Sequence, residues 1–241
     1  MKLSVLIPVY NERRYIKEIV RRVLEVELPR KMEREIILVD DGSGDDVKDI
    51  VLQMAEQEKS IKLIVHEKNL GKGAAIRTAI DAATGDICIF QDADLEYNPD
   101  DYPELIQPIL EGAADVVYGS RFLPGARRRV LFFRHSMVNK ILTTLSNLCT
   151  DLYLTDMETC YKAFRTDLLK TIPLRCNGFG LEPEITAKVA KRQLRIYEVP
   201  IRYAGRTYAE GKKITWKDGL NTIFVILKYW IVDDCGEDGG P

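Results

Sequence analysis

Three short acidic stretches have the residue types and settings to hold a charged ligand. They are Pro8-Val9-Tyr10-Asn11-Glu12, Asp40-Asp41-Gly42-Ser43 and Asp92-Ala93-Asp94, and each ends or follows an apolar run. Carboxylates brought together repel one another unless something positive joins them, and a hard divalent cation with oxygen ligands is the usual solution. Mg²⁺ or Mn²⁺ is the natural candidate. In Asp92-Ala93-Asp94 one carboxylate can meet the cation and the other a metal-bound water or a ligand hydroxyl, which leaves coordination positions open for phosphate oxygens. A lone Asp-x-Asp is often only a solvated turn. Here the apolar run Ile87 to Phe90 delivers the pair at its end, and Leu95-Glu96-Tyr97-Asn98-Pro99 follows as a turn.

The elements around these stretches predict how they meet. Short apolar runs alternate with helical periodicities through the first half, the pattern of a parallel sheet covered by helices. Strands are expected at Leu3 to Val9, Glu35 to Val39, Ile61 to Val65, Asp86 to Gln91 and Asp115 to Tyr118. Between them, Ile16, Ile19, Val20, Val23 and Leu24 mark one helix face, and Val47, Ile50, Val51 and Met54 another. Further helices are expected over Ala74 to Ala83 and from Pro103 to about Leu110. Ligands of such sheets sit outside the carboxyl ends of the strands, so the three acidic stretches should share one edge.

Those stretches, with Val5-Leu6-Ile7 before the first and Asn69-Leu70-Gly71-Lys72-Gly73-Ala74-Ala75 between the second and third, stand in the order and spacing of a known family. The chain resembles the family 2 glycosyltransferases, and within them the polyprenyl-phosphate hexose synthases, over roughly residues 2 to 230. The resemblance implies an α/β chain with the GT-A fold, a mostly parallel central sheet flanked by helices. One domain is expected over residues 1–230, divided into a nucleotide-sugar half, 1–120, and an acceptor half, 121–230. It further implies that Pro8, Tyr10, Glu12 and Asp40 line a base and ribose pocket with Asp41 beside them. Asp92, Ala93 and Asp94 would engage the metal and diphosphate, with Glu96 a further ligand. Glu96 stands where some mannose synthases place Gln. Lys72 is expected in the donor site. Arg121, Arg134 with Ser136, and Arg206 would surround the acceptor phosphate, and the paired donors of a guanidinium suit that group. Tyr208-Ala209-Glu210-Gly211-Lys212-Lys213 resembles a loop that folds over the donor diphosphate, where Lys212 or Lys213 offsets charge.

Other features admit two readings from the residues alone. Gly71-Lys72-Gly73 opens a helix and could admit a polar ligand or simply pack tightly, since it completes neither a dinucleotide fingerprint nor a P-loop. His66 and His135 are the only histidines and stand too far apart in sequence to suggest a two-histidine metal centre; His66 is read as structural. The carboxylates of Thr155-Asp156-Met157-Glu158-Thr159 and Phe179-Gly180-Leu181-Glu182-Pro183-Glu184 are expected to face donor sugar or acceptor, with helix capping the competing role for Glu184.

From Arg121 to Thr150 there is no Asp or Glu, yet six Arg and Lys stand among Leu131, Phe132, Phe133, Met137, Ile141 and other apolar residues. Trp216 to Val232 is a second amphipathic stretch. Either could lie on a membrane surface. No run reaches the roughly 18 apolar residues of a spanning helix. Met1-Lys2 leads straight into an apolar run with no targeting signal, and residues 231–241 read as an acidic tail.

Composition bounds the rest. The chain has 241 residues, 46% hydrophobic and 30% charged, the balance of a globular fold. Thirty-five Lys and Arg against 37 Asp and Glu leave a formal charge of −2, so nucleic acid is not an expected partner. Five dispersed cysteines without a CxxC pair disfavour disulfides and zinc and fit a reducing cytoplasm. The expected activity is inverting transfer of a hexose from GDP-mannose, UDP-glucose or another nucleoside diphosphate sugar to polyprenyl phosphate, on the cytoplasmic face of a membrane. A same-fold enzyme with a saccharide hydroxyl acceptor would instead need a base such as Asp156 or Glu158. A sugar-nucleotide-binding module without activity is the third reading. Oligomeric state is not legible.

Overall fold

The computed structural model describes residues 1–130, 132–206 and 216–232. In the first half, β1 (Lys2–Val9), α1 (Ile16–Glu25), β2 (Glu33–Asp40), α2 (Val47–Gln57), β3 (Ile61–Val65), α3 (Lys72–Ala82) and β4 (Ile87–Phe90) alternate as expected. The chain continues through α4 (Tyr102–Leu110), β5 (Val116–Ser120), α5 (Phe133–Thr150), β6 (Lys162–Arg165), α6 (Thr166–Thr171), α7 (Leu181–Lys191), β7 (Ile196–Pro200) and α8 (Trp216–Ile231). Lys212 and the rest of the loop 207–215, Leu131, and the acidic residues beyond Val232 lie outside the described residues.

Seven strands form one sheet in the order β3-β2-β1-β4-β6-β5-β7. β1, β2, β3 and β4 run parallel, β5 pairs parallel with β7, and β6 is antiparallel to both its neighbours. Leu3, Val5, Leu6 and Ile7 of β1 are wholly buried. Helices cover both faces, which is why this strand reads as a continuous apolar run rather than an alternation.

The topology creates the crevice. From β1 the chain winds outward to β2 and β3, then returns to place β4 on the other side, so β1 and β4 flank a switch point where parallel α/β sheets bind ligands. Register brings the strand ends level: Val9 pairs with Asp40, and Leu6 with Phe90. Backbone bonds extend the alignment, Asp41 N–H to Val9 O at 2.8 Å and Gln91 N–H to Leu6 O at 2.9 Å. Because β6 is antiparallel, the loop entering it, residues 156–160, emerges at this same edge.

Two helices of the second half depart from ordinary amphipathic logic. α5 buries Leu142, Thr143 and Ser146 while exposing Phe133, Met137, Val138, Ile141 and Leu148. α8 packs against it, burying Thr222, Val225, Ile226 and Tyr229 and exposing Leu220, Phe224, Leu227, Trp230 and Ile231. Among the described residues no helix is long and apolar enough to cross a membrane.

Candidate active site

The strand ends enclose a cavity of about 470 Å³. Pro8 and Val9 wall it from the end of β1, Tyr10 and Glu12 from the turn after it, and Asp41 from just beyond β2. Asp92, Ala93, Asp94 and Glu96 line it beyond β4, Glu158 and Cys160 from the loop before β6, and Glu182 from the first turn of α7. Lys72, Arg121, Tyr203 and Arg206 also reach it.

At its centre lies the sequence Asp92-Ala93-Asp94. Lys72 Nζ stands 2.9 Å from Asp92 Oδ1 and 3.2 Å from Glu182 Oε1. Burial alone would discharge this lysine, but the carboxylates of Asp92 and Glu182 hold its pKa well above the ordinary value. Burial likewise opposes ionisation of Asp92, and the Lys72 ammonium outweighs it, leaving that carboxyl below the usual range. Asp94 behaves oppositely: burial and then the charges of Asp92 and Glu96 push it up to about 7, despite Arg206. Negative charge is therefore in excess at Asp94. A dication on these oxygen donors would relieve it, so the chemistry of the residues suits a hard divalent cation. Among the described residues no three His, Cys, Asp or Glu are arranged to enclose a metal ion, so such a cation would draw further oxygens from phosphate and water.

Arg206 stands inside the acidic group. Its Nη2 bonds Asp94 Oδ2, its Nε lies 3.0 Å from Glu96 Oε1, and its Nη1 is 3.6 Å from Glu12 Oε2. Glu96 Oε1 also accepts from the Arg206 N–H, at 2.9 Å, and Oε2 accepts from Tyr203 Oη at 2.6 Å. Both oxygens of Glu96 thus anchor the segment carrying Tyr203 and Arg206.

Asp40 and Asp41 have different surroundings. Asp41 reaches the cavity wall, but Oδ1 accepts from the Leu70 N–H at 2.9 Å and Oδ2 from the Gly71 N–H at 2.7 Å. His66 Nδ1 stands 2.7 Å from the same carboxylate, and Nε2 is 2.9 Å from Thr78 Oγ1, a packing role for that histidine. Asp40 is buried outside the cavity walls, where Oδ1 accepts from the Ser43 N–H at 3.1 Å.

The Gly71-Lys72-Gly73 turn packs. Gly71 has φ +101°, and a Cβ there would meet Asn177 O at 2.3 Å; one on Gly73 would meet Cys176 O at 2.2 Å. The N–H groups of Gly73 and Ala74 both donate to Asn177 O, so these two are not directed at a ligand. The turn's contribution to the cavity is to present Lys72.

A smaller cavity of about 90 Å³ adjoins the first, sharing Arg121, Tyr203 and Arg206. Arg129, Val130, Phe132, His135, Ser136 and Asn139 are among its other walls. Ser136 is therefore brought beside Arg121 and Arg206, whereas Arg134 is exposed and lines neither cavity. The i and i+2 positions of a helix diverge by about 200°, so Arg134 and Ser136 of α5 do not share a face. Arg129, His135 and Tyr203 carried no motif signal; chain folding alone brings them here. Glu184 also differs from the capping expectation. It accepts from the backbone N–H groups of Arg175 and Cys176 at 2.8 and 2.7 Å and pairs with Lys188 at 2.8 Å, fixing the loop before α7.

Beside a sheet with this order, two Asp residues beyond β4 and a Lys opposite them, the chain matches a family model described as Glycosyl transferase family 2 over residues 4–172. The chain belongs to that family. Among curated proteins, the undecaprenyl-phosphate 4-deoxy-4-formamido-L-arabinose transferase of Salmonella choleraesuis (strain SC-B67) is 32% identical over 212 residues. The match takes in 88% of this chain, and the chain spans about 62% of that relative's length. Among solved structures, glucosyl-3-phosphoglycerate synthase from Mycobacterium tuberculosis with Mn²⁺, UDP and phosphoglyceric acid is similar with a TM-score of 0.72. It is 21% identical, covering 98% of this chain and 80% of that one. The same synthase with UDP alone gives 0.73 at 20% identity, covering 98% and 82%. These glycosyltransferases share the fold of the present family 2 chain, a mostly parallel sheet of the GT-A type.

Proposed function

We propose that this family 2 chain transfers a hexose from a nucleoside diphosphate sugar, GDP-mannose or UDP-glucose, to a polyprenyl phosphate, inverting the anomeric carbon. The observation that carries the reading is the continuity of the two cavities. The acidic pair Asp92 and Asp94 with Lys72 stands at the centre of one, and Arg121 joins it to the other, beside the apolar and basic face of α5. The activity of the 32% identical relative supports it.

In this reading the nucleoside lies along Pro8, Tyr10 and Glu12, with Asp40 and Asp41 shaping the wall from behind. Asp92 and Asp94 would hold Mg²⁺ or Mn²⁺, which would supply positive charge for the departing diphosphate. Glu96 acts beside them by fixing Arg206. Lys72 adds a positive charge at the diphosphate, and Lys212 is a further candidate for that role. Arg121, Arg206 and Ser136 orient the acceptor phosphate, with Arg134 on the outer surface toward the membrane. A phosphate oxygen attacks C1 as the C1–O bond to the diphosphate breaks. The acceptor is largely ionised near neutral pH, its second pKa being about 6, so no strong base is required. What the chain supplies is alignment and charge stabilisation.

The exposed apolar side chains of α5 and α8, with Arg127, Arg128, Arg129 and Lys140 nearby, suit peripheral attachment to the anionic cytoplasmic face of a membrane. Residues 1–230 act as one unit, the first half taking donor and the second acceptor. The test is a donor panel with one polyprenyl phosphate and Mn²⁺ or Mg²⁺. An organic-extractable labelled product that disappears with chelator is expected. Transfer only to a water-soluble saccharide would favour the hydroxyl-acceptor alternative, for which Glu158 is the available base because Asp156 is bonded to Arg121.

A further inference from the structure

Two kinds of contact hold Arg206, and only one of them uses the guanidinium. The Arg206 backbone N–H donates to Glu96 Oε1 at 2.9 Å, Tyr203 Oη donates to Glu96 Oε2 at 2.6 Å, and the Ala204 N–H donates to Glu96 O at 2.8 Å. These bonds fix the segment whatever the arginine side chain does. The guanidinium itself is spent on carboxylates: Nη2 on Asp94 Oδ2, Nε on Glu96 Oε1 at 3.0 Å, and Nη1 3.6 Å from Glu12 Oε2. Rotation about the side-chain bonds would therefore release it without moving the backbone.

The oxygens it occupies are ones a dication would draw on. Asp94 Oδ1 accepts from the Glu96 N–H at 3.0 Å inside the turn, so Oδ2 is the oxygen whose partner can leave. A dication and a guanidinium on one oxygen repel each other, and the cation brings twice the charge to three carboxylates that share a single guanidinium. Arg206 also lines both cavities, standing with Arg121 and Ser136 in the smaller one. We propose that Arg206 and a divalent cation are alternative counterions of Asp94: the cation displaces the guanidinium by side-chain rotation alone, and the displaced charge turns to the smaller cavity, where an acceptor phosphate takes it. This rests on the cation and acceptor readings above and adds that one side chain couples them. Such coupling is reciprocal, so the cation favours phosphate as much as phosphate favours the cation.

The experiment titrates Mn²⁺ into the full chain without nucleotide, with free Mn²⁺ read by its electron paramagnetic resonance signal. Arg206→Gln should bind Mn²⁺ at least about fivefold more tightly than wild type, the lower end of ordinary coupling between sites. An arginine that only braces the site would do the opposite when removed, so equal or weaker binding by the variant overturns the exchange. A second measurement needs no variant. Phenylglyoxal modification of wild-type Arg206, followed by peptide mass spectrometry, should speed up severalfold when Mn²⁺ is added, because the guanidinium leaves its carboxylates; an unchanged or slower rate also overturns the exchange. Finally, Mn²⁺ should tighten binding of farnesyl phosphate severalfold in wild type and not in Arg206→Gln. Equal tightening in both proteins would overturn the link to the acceptor. Mn²⁺ bound by neither protein would overturn the cation reading itself.

Discussion

The guanidinium of Arg121 is gripped by Asp156: Nε stands 2.6 Å from Oδ2 and Nη2 2.7 Å from Oδ1, with the Arg121 N–H also donating to Oδ2 at 3.0 Å. Asn139 of α5 completes the arrangement, its Nδ2 reaching Asp156 Oδ1 at 3.2 Å and its Oδ1 accepting from Arg121 Nη2 at 3.3 Å. The carboxylate is fully buried, so it cannot serve as a base while it holds the arginine. Asp156→Asn should destabilise the fold by on the order of 3 kcal/mol, because it leaves a largely buried guanidinium without its counterion. Thermal melts would show this as a fall of roughly 6–12 °C. Unchanged melting would mean that the pair contributes little to the fold.

Asp94→Asn separates stability from transfer. Asp94 is pushed up to about 7 by burial and by Asp92 and Glu96, so a neutral amide removes repulsion and the fold should melt no lower than wild type. Transfer should fall by at least about 100-fold, since charge on the leaving diphosphate loses its stabilisation. Mn²⁺ should raise the melting temperature of wild type and leave that of the variant unmoved. A variant that retains transfer would contradict the role assigned to Asp94.

Glu158 predicts a pH dependence of stability. Its carboxyl is pushed from 4.5 up to about 8, first by burial and then by Glu182. Between those values the folded protein keeps a proton that the unfolded chain has released, so stability falls as pH rises and the loss is complete above about 8. Glu158→Gln lacks this titration. The melting temperature of wild type relative to that variant should therefore drop from pH about 5 to about 8 and then level, each kcal/mol appearing as roughly 2–4 °C. A difference that stays flat with pH would contradict the raised value.

Attachment to lipid should depend on the outward faces of α5 and α8. Phe133 is 75% and Phe224 65% exposed, so replacing both with Glu should change stability by no more than about 0.5 kcal/mol per site. Wild-type protein should co-sediment with phosphatidylserine vesicles and be released by salt. The double variant should lose most of that binding at any salt concentration. Wild-type protein that ignores vesicles would argue against a membrane-borne acceptor.

The first half of the fold was legible because local physics writes it directly. A strand buried on both faces must be apolar along its length, and a covering helix must repeat its apolar positions every three or four residues. β3 falls at Ile61–Val65 as the pattern predicts, and the other early elements differ by only a few residues at their ends. The family motifs also point to Asp92, Asp94 and Lys72 at one edge, since they follow the carboxyl ends of parallel strands, and Lys72 Nζ stands 2.9 Å from Asp92 Oδ1. The second half resisted reading for a physical reason. α5 turns its apolar side chains outward, so its hydrophobic pattern marks the face away from the core.

By itself the sequence determined the first five strands, the edge at which their carboxyl ends meet and the acidic pair on that edge, because all three follow from patterns spanning a few residues; β6 and β7 carried no such pattern. Tertiary structure alone decided the partners: Arg206 reaches Asp94 across 112 positions, Arg121 meets Asp156 across 35, and Glu184 holds a loop rather than a helix end. It also decided that the glycines around Lys72 pack against Asn177 and Cys176 instead of cradling a phosphate. Such outcomes depend on which of several equivalent charged groups the packed backbone holds within reach, and on what the surrounding backbone already satisfies. Residue type cannot encode that, because one arginine offers the same donors to every carboxylate it could meet.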